Sequence, residues 1–314
     1  MSVDSLKIGL ALGSGSSRGW AHIGIIKALA ELGIEPDIVC GCSIGAIVGA
    51  SYVTGNLQQL EHWVTTLSKR DVARFFELNL SFNGFVDPER MHQFMTEYVC
   101  SDGQHIEELP KVYASVATEL KTGREIWFTE GLVTNAVLAS MSLPGLFPPL
   151  QHQGRWLVDG GLVNPVPVSV CRALGAEFVI AVNLNGDIVG KHFTRPHKET
   201  AKEEESMLDV LTRTLKDHSG YWFTNLFNNG HPPEKGQEPP PSLFDAIAGS
   251  VNITQDRITR SRMAGDPPDL LLTPKLSHIG LLEFFRAKDA IQEGRDCVQR
   301  LTPEILHTFG LVGP

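Results

Sequence analysis

The most informative stretch of this sequence is Asp37-Ile38-Val39-Cys40-Gly41-Cys42-Ser43-Ile44-Gly45-Ala46. Asp37 to Cys40 predicts a short buried strand, and the small apolar residues from Ala46 to Val53 predict a helix. Between them lies the pattern G-x-S-x-G, in the strand–turn–helix context that gives the pattern meaning. There the backbone N–H groups and the helix dipole stabilise nearby negative charge. We therefore interpret Ser43 as a nucleophile, with Gly41 and Gly45 beside it because the turn crowds neighbouring elements; without that context a chance turn serine would be the better interpretation.

The residues before this stretch predict another strand–turn–helix unit. Ile8 to Leu12 is an apolar run of strand length, and Gly13 to Gly19 is a Gly-rich loop. Trp20 to Leu32 then carries apolar residues at helical spacing and is followed by Gly33, a helix stop. Two such units in succession are typical of a parallel sheet with right-handed crossovers, so the sequence predicts an α/β fold.

Further elements are predicted on both sides of a stretch rich in charged and turn-forming residues. Before it we predict a helix at Asp87–Val99, a hairpin of Val112–Glu119 with Glu125–Thr129, a helix at Asn135–Ser142, and strands at Trp156–Val158 and Glu177–Leu184. After it we predict a helix at Leu243–Met263, a strand at Asp269–Leu272 and a helix at Leu281–Leu301. The core sheet is expected to be complete by residue 185.

The stretch itself, residues 186–241, is predicted to be a mobile insertion. It contains a predicted helix at Ser206–Asp217 and an aromatic cluster of Tyr221, Trp222, Phe223 and Phe227 that could cover a cleft. A surface helix with solvated loops is the equal alternative. We expect residues 1–314 to form one domain, with a motif-bearing core at 7–185 that residues 242–314 complete.

Composition limits the classes of function. The 314 residues carry 27 Lys plus Arg against 36 Asp plus Glu, a net charge of −9, which lacks the basic excess that nucleic-acid binding requires. The 5 cysteines are scattered and mostly in apolar runs, so we expect reduced, buried thiols and a cytosolic compartment. The N-terminus shows no secretory pattern, and no run approaches the roughly 20 apolar residues of a membrane-spanning helix.

The Gly-rich loop has two competing interpretations. It reads Gly13-Ser14-Gly15-Ser16-Ser17-Arg18-Gly19, and its amides are expected at the carboxyl end of the sheet. A dinucleotide site would need G-x-G-x-x-G and an acidic residue after the next strand, but the third glycine comes one residue late and Ser43 follows that strand. An oxyanion hole for an acyl group attacked by Ser43 explains both motifs at once. A purely structural turn is the remaining alternative.

A nucleophilic serine needs a base. None of the 11 histidines lies in a convincing place: His22 is inside a predicted helix, and His152, in a short loop, is the best of them. Asp159 is the better candidate because a predicted strand ends there in a Gly-rich turn. A carboxylate is a weak base unless it is desolvated, so we predict a partly buried Asp159 with a raised pKa. The alternative is an Asp that only caps the turn before Pro165.

Four motifs, in this order, resemble those of the patatin-like phospholipases, and within them the bacterial RssA-like proteins related to neuropathy target esterase. They are Leu10-Ala11-Leu12-Gly13-Ser14-Gly15-Ser16-Ser17-Arg18-Gly19, Gly41-Cys42-Ser43-Ile44-Gly45, Ala139-Ser140-Met141-Ser142-Leu143-Pro144-Gly145-Leu146-Phe147-Pro148-Pro149 and Asp159-Gly160-Gly161. The resemblance implies a three-layer patatin-like α/β fold, with a mainly parallel central sheet and helices on both faces.

The resemblance also implies a site. Ser43 would be the nucleophile and Asp159 the base of a catalytic dyad, with an oxyanion hole from the amides around Gly15 and Ser16 and with Arg18 bracing that loop. The family loop is usually richer in glycine, so the serine side chains are expected to reshape the anion pocket and to add donors to it.

From these residues we predict a cytosolic hydrolase, peripheral to membranes, that cleaves carboxylic esters of phospholipids or lysophospholipids through an acyl-Ser43 intermediate. No metal-ligand cluster or P-loop is found, so no cofactor or metal is expected. The expected partners are a lipid or ester substrate and a membrane, which Pro144 to Leu150 would touch unless that stretch is packed core. An acyltransferase or thioesterase with the same dyad, and a regulatory protein with little turnover, stay open as alternatives.

Overall fold

The structure is a computed structural model that describes residues 6–75, 88–188 and 243–311. Its strands are β1 (Ile8–Leu12), β2 (Ile38–Cys42), β3 (Val112–Glu119), β4 (Glu125–Phe128), β5 (Leu150–His152), β6 (Arg155–Asp159), β7 (Phe178–Val182) and β8 (Leu270–Leu272). Its α-helices are α1 (Ala21–Glu31), α2 (Ile44–Val53), α3 (Leu57–Thr66), α4 (Lys69–Phe75), α5 (Pro88–Tyr98), α6 (Val133–Met141), α7 (Val168–Ala173), α8 (Leu243–Gly265) and α9 (Ala287–Thr308).

All eight strands belong to one mixed sheet, in the order β5-β6-β3-β2-β1-β7-β8, with β4 pairing with β3. Five of them, β3, β2, β1, β7 and β8, are successively parallel. β4 and β6 are antiparallel to β3, and β5 is antiparallel to β6. The predicted α/β class with a mainly parallel sheet is confirmed.

Helices cover both faces of this sheet because successive side chains of a strand point to opposite faces. On one face, Ala11 of β1 and Cys40 of β2 belong to a buried cluster with Cys171 of α7. On the other face, α2 lies so close to the sheet that a Cβ at Gly49 would be 3.1 Å from the side chain of Val39. The sheet therefore lies between two helical layers, as predicted.

The pairing of β3 brings the ends of two other strands together. Residues 115–116 pair with both β2 and β4, and residues 117–118 pair with both β4 and β6. Because a strand has only two edges, β2 and β6 share one edge of β3. They run toward each other, since β2 is parallel to β3 and β6 is antiparallel. Their last residues, Cys42 and Asp159, consequently occupy consecutive register positions on β3.

Most predicted elements are present within a few residues of their expected ends, and three expectations are corrected. The sheet is not complete by residue 185, because β8 extends it by pairing with β7. The last helix runs from Ala287 to Thr308 and not from Leu281 to Leu301, because residues 284–286 form a separate 3₁₀ turn before it. Part of the Gly-rich loop, Ser16–Trp20, is itself a 3₁₀ turn. Helices α3, α4 and α7 and strand β5 were not predicted.

Other predictions lie outside the described residues. These are the helix at 206–217, the aromatic cluster at 221–227 and all of the predicted insertion after residue 188. The chain divides into two compact units, residues 1–191 with 250–314, and residues 192–249. In the second unit the structure describes only residues 243–249, the start of α8.

Two further expectations concern residues that the structure does describe. All five cysteines are free and buried, as predicted. Within the described ranges, no helix is both long and apolar enough to cross a membrane.

Helices α1 and α9 pack at very short range. A Cβ at Gly24 of α1 would overlap the backbone carbonyl oxygen of Ile291, and a Cβ at Gly294 of α9 would overlap that of Ala21. Glycine is therefore required at both positions for the two helices to approach. The Gly-rich loop leads into α1, so this packing also helps to hold the loop in place.

Gly24→Ala should lower the free energy of unfolding by about 1–3 kcal/mol, because the added methyl group forces α1 and α9 apart. Chemical denaturation measures this change. Gly249→Ala in α8 is the matched control, since a Cβ there meets no atom within 4 Å, and it should leave stability unchanged or raise it by up to about 1 kcal/mol. An equal loss in both variants would show that the close packing is not the cause.

Candidate active site

Ser43 forms the turn between β2 and α2. Its φ of 57° and ψ of −120° place a non-glycine residue in a sparsely populated region of backbone conformation. A Cβ at Gly41 would lie 2.5 Å from Cα of Ala46, and a Cβ at Gly45 would overlap the carbonyl oxygen of Leu12. The prediction that crowding at this turn demands the flanking glycines is confirmed.

The side chain of Ser43 faces that of Asp159, the residue that ends β6. Ser43 Oγ donates a hydrogen bond of 2.6 Å to Asp159 Oδ2. The other carboxylate oxygen, Oδ1, accepts the backbone N–H of Gly161 at 2.7 Å. The Asp159 backbone is also held, because its carbonyl accepts Thr118 Oγ1 and its N–H donates to the carbonyl of Ser142. The carboxylate therefore has a fixed position and orientation.

The environment of Asp159 changes its acidity. The residue is 1% exposed, and this burial raises its pKa from 3.8 to about 6, against the opposing effect of the hydrogen bonds from Ser43 and Gly161. The predicted raised pKa is confirmed, although the residue is fully buried and not partly buried. A carboxyl group with a pKa near 6 is a better proton acceptor than an ordinary aspartate.

The Gly-rich loop presents two backbone donors that the rest of the described chain does not use. The N–H groups of Gly13, Ser14 and Ser17 all bond to backbone carbonyls elsewhere in the fold. Within the described residues, the N–H groups of Gly15 and Ser16 bond to no acceptor. Both residues line the same cavity as Ser43 and Asp159. The amides that the resemblance singles out are thus the ones left available.

The hydroxyl groups of this loop do not add donors to the cavity, which corrects the expectation. Ser16 Oγ donates to the carbonyl of Leu281 at 2.7 Å, and Ser17 Oγ donates to the carbonyl of Gly280 at 2.6 Å. The third hydroxyl of the loop, Ser14 Oγ, donates to Gln255 Oε1 at 3.3 Å. These side chains fasten the loop to the C-terminal segment instead of serving a ligand.

The buried Arg18 serves the same attachment, whereas Gly19, the last glycine of the loop, keeps the loop against the turn at Ser43. Arg18 Nε donates to the carbonyl of Ile279 at 2.9 Å, so the side chain braces the loop against the C-terminal segment. A Cβ at Gly19 would overlap the side chain of Ile44, the residue after the serine, which keeps the two turns in contact.

The two histidines considered as bases have other surroundings. His22 is fully buried and bonds through Nε2 to the carbonyl of Gly13 at 2.8 Å, and burial lowers its pKa to about 4. It therefore stays neutral and supports the Gly-rich loop. His152 lies on β5, where its ring packs 4.9 Å from that of Phe128. Among the described residues that line the cavity of Ser43, there is no histidine.

The cavity beside Ser43 has a volume of about 870 Å³, including its open mouth. Most of its wall is apolar, for example Ile47, Trp63, Phe94 and Phe284. Leu146, from the stretch expected to touch lipid or to pack in the core, is buried and faces this cavity. Asp159 is the only titratable side chain among the described lining residues, and the apolar part of the wall suits an uncharged, apolar chain.

Sequence reasoning missed Asn252 and Gln255, which α8 contributes to the cavity wall, and the loop around Leu281. Apolar periodicity predicted α8 as a helix but carries no information about which of its polar residues face a distant site. Within the described ranges, no group of three or more His, Cys, Asp or Glu side chains could hold a metal ion. The expectation that no metal is needed stays a prediction.

Comparison with known proteins identifies relatives over most of the chain. The family model described as patatin-like phospholipase matches residues 10–172. An uncharacterized NTE family protein of Mycobacterium bovis is 32% identical, with 93% of this chain and 90% of that protein covered. Lysophospholipase NTE1 of Pyricularia oryzae is 31% identical over 91% of this chain and 18% of its own length. Patatin-like phospholipase domain-containing protein 6 of Mus musculus is 32% identical over 56% of this chain and 13% of its own length.

The buried Asp159 should make the protein lose stability as the pH rises. Its pKa is higher in the folded protein, about 6, than in the unfolded chain, so the folded state holds the proton more tightly. The resulting stabilisation is complete below about pH 4 and is lost as the pH rises through about 6. Asp159→Asn has no such dependence. The free energy of unfolding of this variant, relative to the wild type, should therefore increase by up to about 3 kcal/mol between about pH 4 and pH 7.

Chemical denaturation of both proteins at the two pH values measures this difference. Asp102→Asn, at an exposed position, is the control for the loss of one carboxylate. If the difference between Asp159→Asn and the wild type were the same at both pH values, the raised pKa would be wrong.

Proposed function

The chain belongs to the patatin-like phospholipase family, and from this premise we propose that it hydrolyses carboxylic ester bonds of phospholipids or lysophospholipids with Ser43 and Asp159 as its catalytic residues. One observation carries the assignment of the two residues: the 2.6 Å hydrogen bond from Ser43 Oγ to a carboxylate buried at the wall of an apolar cavity. The fungal relative is named a lysophospholipase, which supports the substrate class.

The reaction begins with proton transfer. Asp159 accepts the proton of Ser43 Oγ as the oxygen attacks the carbonyl carbon of the ester, and the carbonyl oxygen becomes an oxyanion. The unused N–H groups of Gly15 and Ser16 stabilise that charge. When the C–O bond of the ester breaks, the leaving alcohol takes the proton from Asp159 and the acyl group stays on Ser43. Water then attacks the acyl-Ser43 and gives a proton to Asp159; as the bond between the acyl carbon and Ser43 Oγ breaks, Asp159 returns that proton to Oγ and the fatty acid is released.

The apolar cavity supplies the binding energy for the acyl chain. Burial of aliphatic groups against side chains such as Ile47 and Phe94 contributes about 0.8 kcal/mol for each methylene group. Leu146 faces the cavity, whereas Pro144, Pro148 and Pro149 around it are exposed. We propose that these exposed residues touch the membrane from which the substrate comes. The five free, buried cysteines support a cytosolic location.

A fluorophosphonate probe should label Ser43 in the wild type, because the probe reacts with activated serines. Ser43→Ala should abolish labelling, and Asp159→Asn should slow it by about 100-fold or more, since the base is lost. Peptide mass spectrometry locates the adduct. Ser101→Ala, which replaces an exposed serine outside the proposed site, is the control and should be labelled at the wild-type rate. Labelling at another residue, or at an undiminished rate in Asp159→Asn, would contradict the assignment.

The rate of ester hydrolysis should depend on the ionisation of Asp159. Only the carboxylate can accept the proton of Ser43, and its pKa is about 6. The value of kcat/KM for a water-soluble ester should therefore fall about tenfold for each pH unit below about 6 and be constant above it. Initial rates of ester hydrolysis measured at pH values below and above about 6 test this expectation, and the folded state of the protein is monitored at each pH. A rate that stays constant down to about pH 5 would show that another group is the base.

A further inference from the structure

Two carboxamide side chains of α8 form a polar strip on the otherwise apolar wall of the cavity. Asn252 and Gln255 are three residues apart on the helix, a spacing that places them on the same face. Both line the cavity that contains Ser43. Gln255 is only 4% exposed, and it is one of the residues that line this cavity. Neither residue has a role in the mechanism described above.

The oxygen atoms of both carboxamides are held by the protein. Gln255 Oε1 accepts hydrogen bonds from Asn185 Nδ2 at 3.0 Å and from Ser14 Oγ at 3.3 Å. Asn252 Oδ1 lies 3.5 Å from Arg18 Nη1, which can only donate. Asn185 Nδ2 also donates to the backbone carbonyl of Ser14, which fixes the orientation of the Asn185 amide. These donors decide which end of each carboxamide is the oxygen.

The nitrogen atoms of the same carboxamides have no acceptor. Within the described residues, neither Gln255 Nε2 nor Asn252 Nδ2 donates a hydrogen bond. Both nitrogen atoms keep some exposure to solvent, because neither is among the fully buried polar atoms that lack a partner. Gln255 Nε2 lies close to Gly161, where an added Cβ would overlap it. Gly161 is the residue whose N–H holds Asp159 Oδ1, so the unused donor of Gln255 lies beside the residue that positions this carboxylate.

We propose that Asn252 and Gln255 form a subsite for hydrogen-bond acceptor oxygens on the alcohol side of the ester, that is, for phosphodiester or hydroxyl oxygens of the glycerol leaving group. This inference rests on the ester hydrolysis proposed above. An ester bound at Ser43 places its acyl chain and its alcohol in different directions, and the apolar wall suits only the acyl chain. An amide N–H in a nearly buried position needs a partner when the ligand displaces water, and an acceptor oxygen of the ligand supplies it.

The chemistry of the wall also selects the kind of ligand. No Lys, Arg or His side chain is among the described residues that line the cavity. The subsite therefore offers neutral donors without a counter-charge, and it recognises acceptor oxygens through hydrogen bonds. Its oxygen atoms are engaged with Ser14 and Arg18 of the Gly-rich loop, which fixes the subsite relative to the amides of Gly15 and Ser16.

The test compares three esters of the same fatty acid in the same detergent micelles: lysophosphatidylcholine, a monoacylglycerol and a naphthyl ester. The naphthyl group offers no acceptor oxygen beyond the ester itself. Gln255→Glu is the informative variant, because it keeps the oxygen that accepts from Ser14 and Asn185 and removes the Nε2 donor. Asn252→Asp does the same beside Arg18. Gln255→Met removes the donor without adding charge, and Thr254→Glu adds the same charge on the exposed side of α8.

We expect the Gln255 variants to lower kcat/KM for one or both glycerol esters by about tenfold or more relative to the naphthyl ester. Asn252→Asp should act in the same direction, and Thr254→Glu should show no such discrimination. A selective loss for lysophosphatidylcholine alone assigns the subsite to phosphodiester oxygens. A selective loss for both glycerol esters assigns it to the glycerol oxygens.

Two results would overturn the inference. An equal loss for all three esters would mean that Gln255 acts only by holding the Gly-rich loop, and no loss for any ester would mean that the donors touch no substrate. In both cases the wild type still hydrolyses esters and its Ser43 is labelled, so the proposed function survives. If the wild type hydrolyses none of the three and is not labelled, the proposed function fails first.

Discussion

The hydrogen bond between Ser43 and Asp159 depends on the way in which β2 and β6 share one edge of β3. β2 runs parallel to β3 and stops at Cys42, and β6 runs antiparallel and stops at Asp159. Residues that are 116 positions apart in the chain are thereby brought within 2.6 Å. Because the two strands approach from opposite directions, neither side chain needs a long loop to reach the other. The turn at Ser43 is correspondingly tight, which accounts for the positive φ of the serine and for the glycines on each side.

The position of Asp159 carries an energetic cost that matches its proposed use. A fully buried carboxyl group loses its hydration, and this raises its pKa toward the pH at which the enzyme would work. The same loss destabilises the folded protein at neutral pH. Hydrogen bonds from Ser43 and Gly161 offset part of the cost and hold the carboxylate still. The buried Asp159 thus lowers the stability of the folded protein at the position where the proposed reaction needs a strong proton acceptor.

The C-terminal part of the chain completes the site instead of merely covering it. The serine hydroxyls and Arg18 of the Gly-rich loop all bond to residues beyond position 250, among them Ile279 and Leu281. The close packing of α1 on α9 holds the same loop from its other end. This attachment fixes where the unused amides point, which a Gly-rich segment could not do alone.

The α/β class, most of the strands and helices, and the pair Ser43 and Asp159, which form a direct hydrogen bond, could be predicted from the sequence alone. These features were predictable because strands, turns and helices follow local sequence patterns. The glycines on each side of Ser43 and after Asp159 likewise indicate positions where neighbouring atoms leave no space for a side chain. The roles of Asn252 and Gln255, the attachment of the loop around Leu281 and the addition of β8 to the sheet were decided by packing. Gln255 is 241 residues from Ser14, and nothing within one helical turn of it distinguishes a cavity residue from a surface one. Contacts of that range depend on how whole helices and strands are arranged, and that arrangement exists only once the chain has folded.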